Sequence, residues 1–272
     1  MQTTFLFTIL FYVLSAGGYI SYLIVQRKQL HRMASYILLI GFLMHCAWLT
    51  LAYSAAGHMP VGNLSETLSF CAWAVAAVFL IFQYKYNIKI LGAYAAPMLA
   101  LLMLAAFILP PKTVADPKLL QKLWLSIHIT TIFLGDAAMA LACGAGILYL
   151  VQERAIKSKK PGYFFKRLPS LELLDNGGYA CIVTGFTLLT IGLITGLISA
   201  KLYWGRFWSW DVKEVWSALA WIFYAVLLHE RLTVGWRGRR SALMAIIGFG
   251  VLIFTFLGVN LLLKGHHSQF TL

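Results

Sequence analysis

Residues 124–151 read WLSIHITTIFLGDAAMALACGAGILYLV, and this stretch decides the fold. Its 28 residues contain one acidic side chain, Asp136, and no lysine or arginine. A helix needs only about 20 apolar residues to cross the hydrocarbon core of a bilayer. The run therefore predicts a transmembrane helix.

Seven further apolar runs lie on either side of it, at about 4–25, 34–54, 66–84, 89–109, 177–199, 215–229 and 242–263. The first lacks a basic leader and is expected to be a true span rather than a cleaved signal. The run at 215–229 is short and polar at its edges. Of all 272 residues, 61% are hydrophobic and 11% charged, whereas a soluble domain carries roughly 25% charged residues. We expect an all-α protein with eight transmembrane helices, forming one integral membrane domain over residues 1–272.

The net charge of +13 is distributed unevenly between the loops. Of the 22 lysines and arginines, 15 fall in the segments 26–33, 84–90, 152–170 and 230–241, and 7 in the alternate set. Cytoplasmic loops are enriched in basic residues, so the first set is predicted to be cytoplasmic and both termini to face the outside. The charge thus indicates a lipid membrane as partner and gives no reason to expect nucleic acid.

The aromatic residues are densest at 203–216, which reads YWGRFWSWDVKEVW. Tryptophan and tyrosine favour the headgroup region, so an interfacial aromatic belt is one interpretation. The other is a platform for a planar ligand, because indole faces offer broad apolar surface and indole N–H groups donate hydrogen bonds. Four tryptophans interleaved with Arg206, Asp211, Lys213 and Glu214 favour the platform.

The spacing W-G-x-x-W-x-W-D-x-K-E-x-W resembles the tryptophan-rich "WWD" signature of haem-handling proteins in cytochrome c assembly, and in particular the CcsA (ResC) family. Further segments are similar to that family's: Gly57-His58-Met59-Pro60, Asn63-Leu64-Ser65-Glu66-Thr67-Leu68, Trp124-Leu125-Ser126-Ile127-His128, Gly258-Val259-Asn260-Leu261-Leu262 and Gly265-His266-His267-Ser268. One position departs from the pattern, since residue 212 is valine where the family usually has proline.

The resemblance implies the haem-handling subunit of a System II cytochrome c synthase. Such a subunit binds haem b, relays it across the membrane and presents it at the outer face for thioether attachment to an apocytochrome c C-x-x-C-H segment. The implied partners are a CcsB (ResB)-type membrane protein, apocytochrome c and thiol-reducing proteins. The implied location is a bacterial inner membrane or a thylakoid-type membrane, with the haem site facing the periplasm or outer side. Whether the chain itself is an enzyme is left open, because the resemblance makes it a component of the holocytochrome c synthase. The alternative is a HemX-like regulator or a haem chaperone or transport protein without synthase activity.

The resemblance also assigns the histidines. It implies that His128 and His267 are the axial ligands of the outer haem iron, with His266 as a neighbour that could substitute. Imidazole suits iron, and each face of a haem takes one axial ligand. His229 is implied in a second, inner haem site, whose facing ligand is either His45 or a histidine of the partner. The alternative interpretation of each of these histidines is that it is a hydrogen-bonded packing residue and not a haem ligand.

The remaining site residues belong to the tryptophan-rich segment. Trp204, Trp208, Trp210 and Trp216 are expected to contact haem, Arg206 to meet a propionate, and Asp211 to orient a tryptophan or histidine or to stay solvated. No catalytic residue is assigned.

Outside that segment, Asp136 is expected either to be protonated and hydrogen-bonded or to line the haem route. Glu66 is either a charge at a helix N-terminus or a site residue. Gly192 and Gly196 form a G-x-x-x-G pattern, which usually marks close helix packing.

Overall fold

The computed structural model describes residues 2–110, 117–158, 162 and 165–258, and this part of the chain folds into eight α-helices without a strand. The helices are α1 (Gln2–Val25), α2 (Lys28–Ala56), α3 (Leu64–Tyr86), α4 (Gly92–Ile108), α5 (Leu123–Lys157), α6 (Leu171–Trp204), α7 (Val212–Thr233) and α8 (Arg239–Ile253). All eight helical segments are long and apolar enough to cross a membrane. The predicted eight-span, all-α architecture is confirmed.

The helices run past the apolar segments that predicted them. The predicted spans 124–151 and 177–199 leave the residues between them as loop, but α5 continues to Lys157 and α6 already begins at Leu171. The short seventh run is a helix of 22 residues, Val212–Thr233. Apolar composition marks only the part of a helix inside hydrocarbon, so charged helix ends were counted as loop.

Local capping explains several of these ends. Gly57 and Gly205 follow α2 and α6 with φ of 70° and 77°, the left-handed conformation that ends many helices. Asn63 precedes α3, and its side chain accepts a hydrogen bond from the Glu66 N–H. The Glu66 carboxylate in turn accepts from the Gly62 N–H at 2.9 Å. These contacts favour the helix-terminus interpretation of Glu66.

Helix α5 occupies the centre of the bundle. Its run from Ala137 to Gly146 is buried throughout and consists mostly of alanine and glycine, which lets neighbouring helices approach closely. Helix α6 packs along it most extensively, and α3 and α8 pack on other sides. Helix α7 packs against α6 and α8 and is the least buried of the eight. The cavity described next lies between α5, α6 and the first turn of α7.

Candidate functional site

A cavity of about 240 Å³ lies at the end of the bundle where residues 205–211 join α6 to α7. We call it the loop-end cavity. Its walls are mostly apolar, and its polar or aromatic lining includes His128, Asp136, Trp204, Phe207, Trp208, Lys213 and Glu214. The fold thus brings together residues from α5, α6 and the tryptophan-rich segment.

His128 is held in one orientation by the backbone of α6. Its Nδ1 lies 2.7 Å from the carbonyl oxygen of Gly192. A carbonyl can only accept, so Nδ1 carries the proton and Nε2 of the neutral ring keeps its lone pair. Metal-binding histidines commonly donate their other ring N–H to a carbonyl or carboxylate in this way. The geometry suits His128 to bind a metal ion through Nε2.

Two glycines of α6 allow α5 to pack closely, and one of them, Gly196, makes room for that imidazole. A Cβ atom at Gly196 would lie 2.8 Å from both Cε1 and Nδ1 of His128, and a Cβ at Gly192 would lie 2.5 Å from the Ile132 side chain. The G-x-x-x-G pattern therefore gives close packing of α6 on α5, as expected. The sequence pattern did not predict that Gly196 also leaves space for the His128 ring, because the pattern does not show which side chain packs against it.

The segment between α6 and α7 is fixed by two carboxylates. Asp211 caps α7, and its Oδ1 accepts from the Lys213 N–H at 2.9 Å. Glu214 reaches back to accept from the N–H groups of Ser209 and Asp211 and from the Ser209 hydroxyl. This reciprocal arrangement is a capping box. Val212 takes the first helical position, where the proline of the family pattern would fit without losing a hydrogen bond.

The four tryptophans differ in their surroundings. Trp204 and Trp208 line the loop-end cavity. Trp210 is 79% exposed, has a φ of 59° and meets Trp208 edge-on with ring centroids 5.9 Å apart. Trp216 packs against Phe254, with centroids 4.6 Å apart. Arg206 is exposed, outside the cavity lining. Contacts of Trp210, Trp216 and Arg206 with a ligand stay predictions.

Two polar atoms of the cavity wall are buried without a hydrogen-bond partner among the described residues. They are Oδ1 of Asp136 and Nε1 of Trp208. A buried polar group left unpaired is costly, so each such group calls for an explanation. A smaller cavity of about 70 Å³ adjoins the first and shares Asp136 and Lys213 with it. Lys213 was quoted in the sequence signature without a role, and the structure places it in this wall.

His45 lies in a different environment, in the packed core formed by α1, α2 and α3. Its side chain is fully buried. Nδ1 is hydrogen-bonded to the Tyr12 hydroxyl at 3.1 Å and Nε2 to the Ser69 hydroxyl at 3.0 Å. With both ring nitrogens engaged, the geometry favours the packing interpretation over the ligand interpretation.

His229 lies near the opposite end of α7, on its exposed side together with Ile222 and Val226. Two residues on, the buried Arg231 donates to both carboxylate oxygens of Asp175 in α6, at 3.0 and 2.7 Å. Residues two apart on a helix point about 200° apart. The ion pair therefore fixes the rotation of α7 with His229 facing outward.

The tail histidines His266 and His267 lie outside the described residues. The chain is described as far as Gly258, in a π-helical turn that follows α8. Phe256 of that turn lines the loop-end cavity.

Comparison with known proteins gives the family. The family model described as "Cytochrome C assembly protein" matches residues 61–267. A CcsA cytochrome c biogenesis protein of Synechococcus sp. (strain CC9902) is 35% identical, over 84% of this chain and 84% of its own length. The chain belongs to the CcsA family of cytochrome c assembly proteins. Its role is accordingly in cytochrome c maturation.

Other CcsA proteins match over similar lengths. That of Prochlorococcus marinus (strain MIT 9312) is 34% identical over 96% of this chain and 92% of its own length. That of Chlamydomonas reinhardtii is 37% identical over 81% of this chain and 63% of its own length. The match to the "Cytochrome C assembly protein" family model at residues 61–267 contains His128, His229 and His267, whereas His45 precedes it.

A solved structure titled "Cytochrome c Heme Lyase CcmF" shares the fold of this CcsA-family chain. The two superpose with a TM-score of 0.67 at 17% identity, over 99% of this chain and 48% of the other. The CcsA-family chain thus corresponds to about half the length of that structure.

Proposed function

We propose that the chain is the haem-handling subunit of a cytochrome c synthase, and that it binds haem b as its substrate in the loop-end cavity. The observation that carries the proposal is the His128 ring, whose Nδ1 donates to Gly192 and whose Nε2 is left for iron. Trp204 and Trp208 line the same cavity and offer apolar faces to a macrocycle. The unpartnered Trp208 N–H and the mostly apolar lining fit a flat apolar ligand with a few polar groups.

The second axial ligand in this proposal is His267, with His266 as the alternative. Gly258 is nine positions before His267, and nine extended residues span at most about 30 Å. Phe256, two residues before Gly258, already lines the cavity. The reach of the tail is therefore compatible with a histidine on the second face of the haem.

The proposed reaction is the addition of two cysteine thiols of apocytochrome c to the two haem vinyl groups. Each S–H adds across one C=C bond, so sulfur joins one carbon and hydrogen the other. Holding haem and both thiols in register replaces a rare encounter with a local one. Thiol-reducing proteins keep the cysteines reduced, and the cavity opens on the outer side of a bacterial inner or thylakoid-type membrane.

The proposed inner haem site uses His229. This residue and its exposed neighbours Ile222 and Val226 lie on a face of α7 that the described part of the chain leaves uncovered. A CcsB-type membrane protein is the proposed partner for this face and supplies the facing ligand. For His45 to take that role, it would have to give up a hydrogen bond to Tyr12 or Ser69.

The test is co-expression of the full chain with a CcsB-type partner and an apocytochrome c. Covalent haem on the C-x-x-C-H segment is measured by mass spectrometry, and bound haem by absorption spectroscopy. His128→Ala is expected to abolish the covalent product. The control His31→Gln, in the first turn of α2, is expected to retain it. Full haem occupancy of the wild-type complex without covalent product would contradict the synthase function and support the chaperone or regulator alternative.

A further inference from the structure

Besides His128, the polar lining of the loop-end cavity includes three groups from three different elements of the chain. They are the Lys213 side chain from the first turn of α7, the Trp208 indole N–H and the Asp136 carboxylate. Lys213 interacts electrostatically with Asp211 and with Asp136, and Lys213 and Asp136 also line the adjoining smaller cavity. Lys213 and Asp136 therefore lie where the two cavities adjoin, and Trp208 lines the larger one.

The chemistry of this wall specifies an anionic acceptor. The Trp208 N–H is a donor with no acceptor within the described chain, and Lys213 brings three further donors and a positive charge. A carboxylate satisfies both, because it accepts several hydrogen bonds and carries the opposite charge. The rest of the lining is mostly apolar, so the carboxylate must belong to a larger apolar ligand.

We propose that Lys213, together with the indole N–H of Trp208, binds a carboxylate of the tetrapyrrole, and that Asp136, alongside Asp211, compensates the charge of Lys213 when that carboxylate is absent. This inference rests on the proposed function, because it takes haem as the ligand of the cavity. It names the groups that recognise the propionate side chains of haem.

Lys213 suits this role better than Arg206, to which the sequence had assigned the propionate. Arg206 is exposed, so water and salt screen its charge. Lys213 faces a mostly apolar cavity, where a charge pair is screened less. Asp136 opposes the incoming carboxylate by repulsion, and its presence keeps the lysine charge compensated in the ligand-free protein.

The test compares haem b with its dimethyl ester, whose propionates are uncharged, by titration into the purified full chain. We expect the wild type to bind haem at least about tenfold more tightly than the ester, the size typical of a charge-assisted hydrogen bond. Lys213→Met should remove this preference by weakening haem alone. Arg206→Met and the exposed-lysine control Lys118→Met should keep it. Loss of the preference in Arg206→Met rather than in Lys213→Met would overturn the inference.

Asp136→Asn provides an independent arm, because it removes the competing negative charge. We expect this variant to bind haem more tightly than the wild type does, and to bind the ester with the same affinity as the wild type. Weaker haem binding by Asp136→Asn would contradict its role as counter-charge. If Lys213→Met does not fold, as judged by gel filtration and thermal unfolding, Lys213→Arg replaces it. This variant is expected to retain the preference, and its loss would count against a charge contact.

Iron-free protoporphyrin IX separates this inference from the proposed function. It has carboxylates but no metal, so its binding should depend on Lys213 and not on His128. If neither haem nor protoporphyrin binds, the proposed function fails. If haem binds through His128 but Lys213→Met leaves the preference for haem over its ester intact, only the present inference fails.

Discussion

Two histidines of this bundle show how packing assigns different tasks to the same side chain. In the core of α1, α2 and α3, His45 has both ring nitrogens hydrogen-bonded, one to Tyr12 and one to Ser69. In the loop-end cavity, His128 has one nitrogen bonded to the Gly192 backbone, and the ring lines an open space.

The difference lies in what the second nitrogen meets. A fully bonded imidazole stabilises a core and would have to lose a contact before it could bind iron. An imidazole oriented by one backbone hydrogen bond is ready to bind a metal at little reorganisation cost. Membrane depth alone does not separate the two cases, because both residues lie within membrane-spanning helices.

The largest effect on stability is expected for His45→Ala. The change leaves a cavity in the core and leaves the hydroxyls of Tyr12 and Ser69 without their partner, which should lower the free energy of unfolding by about 3 kcal/mol. Thermal unfolding in detergent measures this loss. Haem bound at the loop-end cavity should be unaffected in the folded fraction. Loss of the inner haem from folded His45→Ala protein would favour the ligand interpretation of His45.

Gly196→Ala should make His128 a poorer iron ligand without changing the histidine itself. The added methyl would lie 2.8 Å from the imidazole, so the ring must move and its bond to Gly192 must weaken. Changes to groups that orient a ligand typically cost about 10–100-fold in metal affinity, and haem titration measures this. Gly17→Ala in α1 is the matched control, because its Cβ meets nothing within 4 Å. Equal haem affinity in the two variants would contradict the claim that Gly196 leaves the space that orients the His128 ring.

Glu214→Gln is expected to have a smaller effect, on the segment that carries Trp208. Glu214 accepts three hydrogen bonds from Ser209 and Asp211, and the neutral amide replaces one acceptor oxygen by a donor. We expect a loss of about 1–2 kcal/mol in stability and a moderate loss of haem affinity, seen by thermal unfolding and titration. An unchanged haem affinity would show that the capping box is not needed to shape the cavity.

Ser170→Ala removes a cap of the same kind at the end of α6 opposite the loop-end cavity. Its side chain accepts from the Leu173 N–H at the start of α6, and losing an N-cap costs about 1 kcal/mol. Thermal unfolding should report this loss while haem titration stays at the wild-type value. A fall in haem affinity as large as that of Glu214→Gln would show that both caps act only through general stability.

The eight helices could be predicted from the sequence because hydrophobic length is a local property. Each span needs only its own residues to show that it fits the membrane. The ends of α5 and α6 were missed because their polar turns beyond the apolar run resemble loop. Residues 205–211 join α6 to α7, between the predicted spans 177–199 and 215–229, although the capping roles of Asp211 and Glu214 became clear only from their contacts.

The candidate site was predicted in its parts but not in its arrangement. His128 and Trp208 were named from the signature, whereas Lys213 and the glycines 192 and 196 received no site role. Their roles depend on which helix faces which. The ion pair between Asp175 and Arg231 was missed for the same reason, since 56 positions separate its partners in the chain.

The central claim is that His128 holds haem iron at the tryptophan-rich end of the bundle, whereas His45 is a packing residue of the core. The most direct measurement is the absorption spectrum of haem bound to purified His128→Ala and His45→Ala, each with and without added imidazole. The account predicts that His128→Ala loses the bis-imidazole spectrum, that imidazole restores it by filling the vacated space, and that folded His45→Ala keeps it throughout. An unchanged spectrum in His128→Ala would contradict the account.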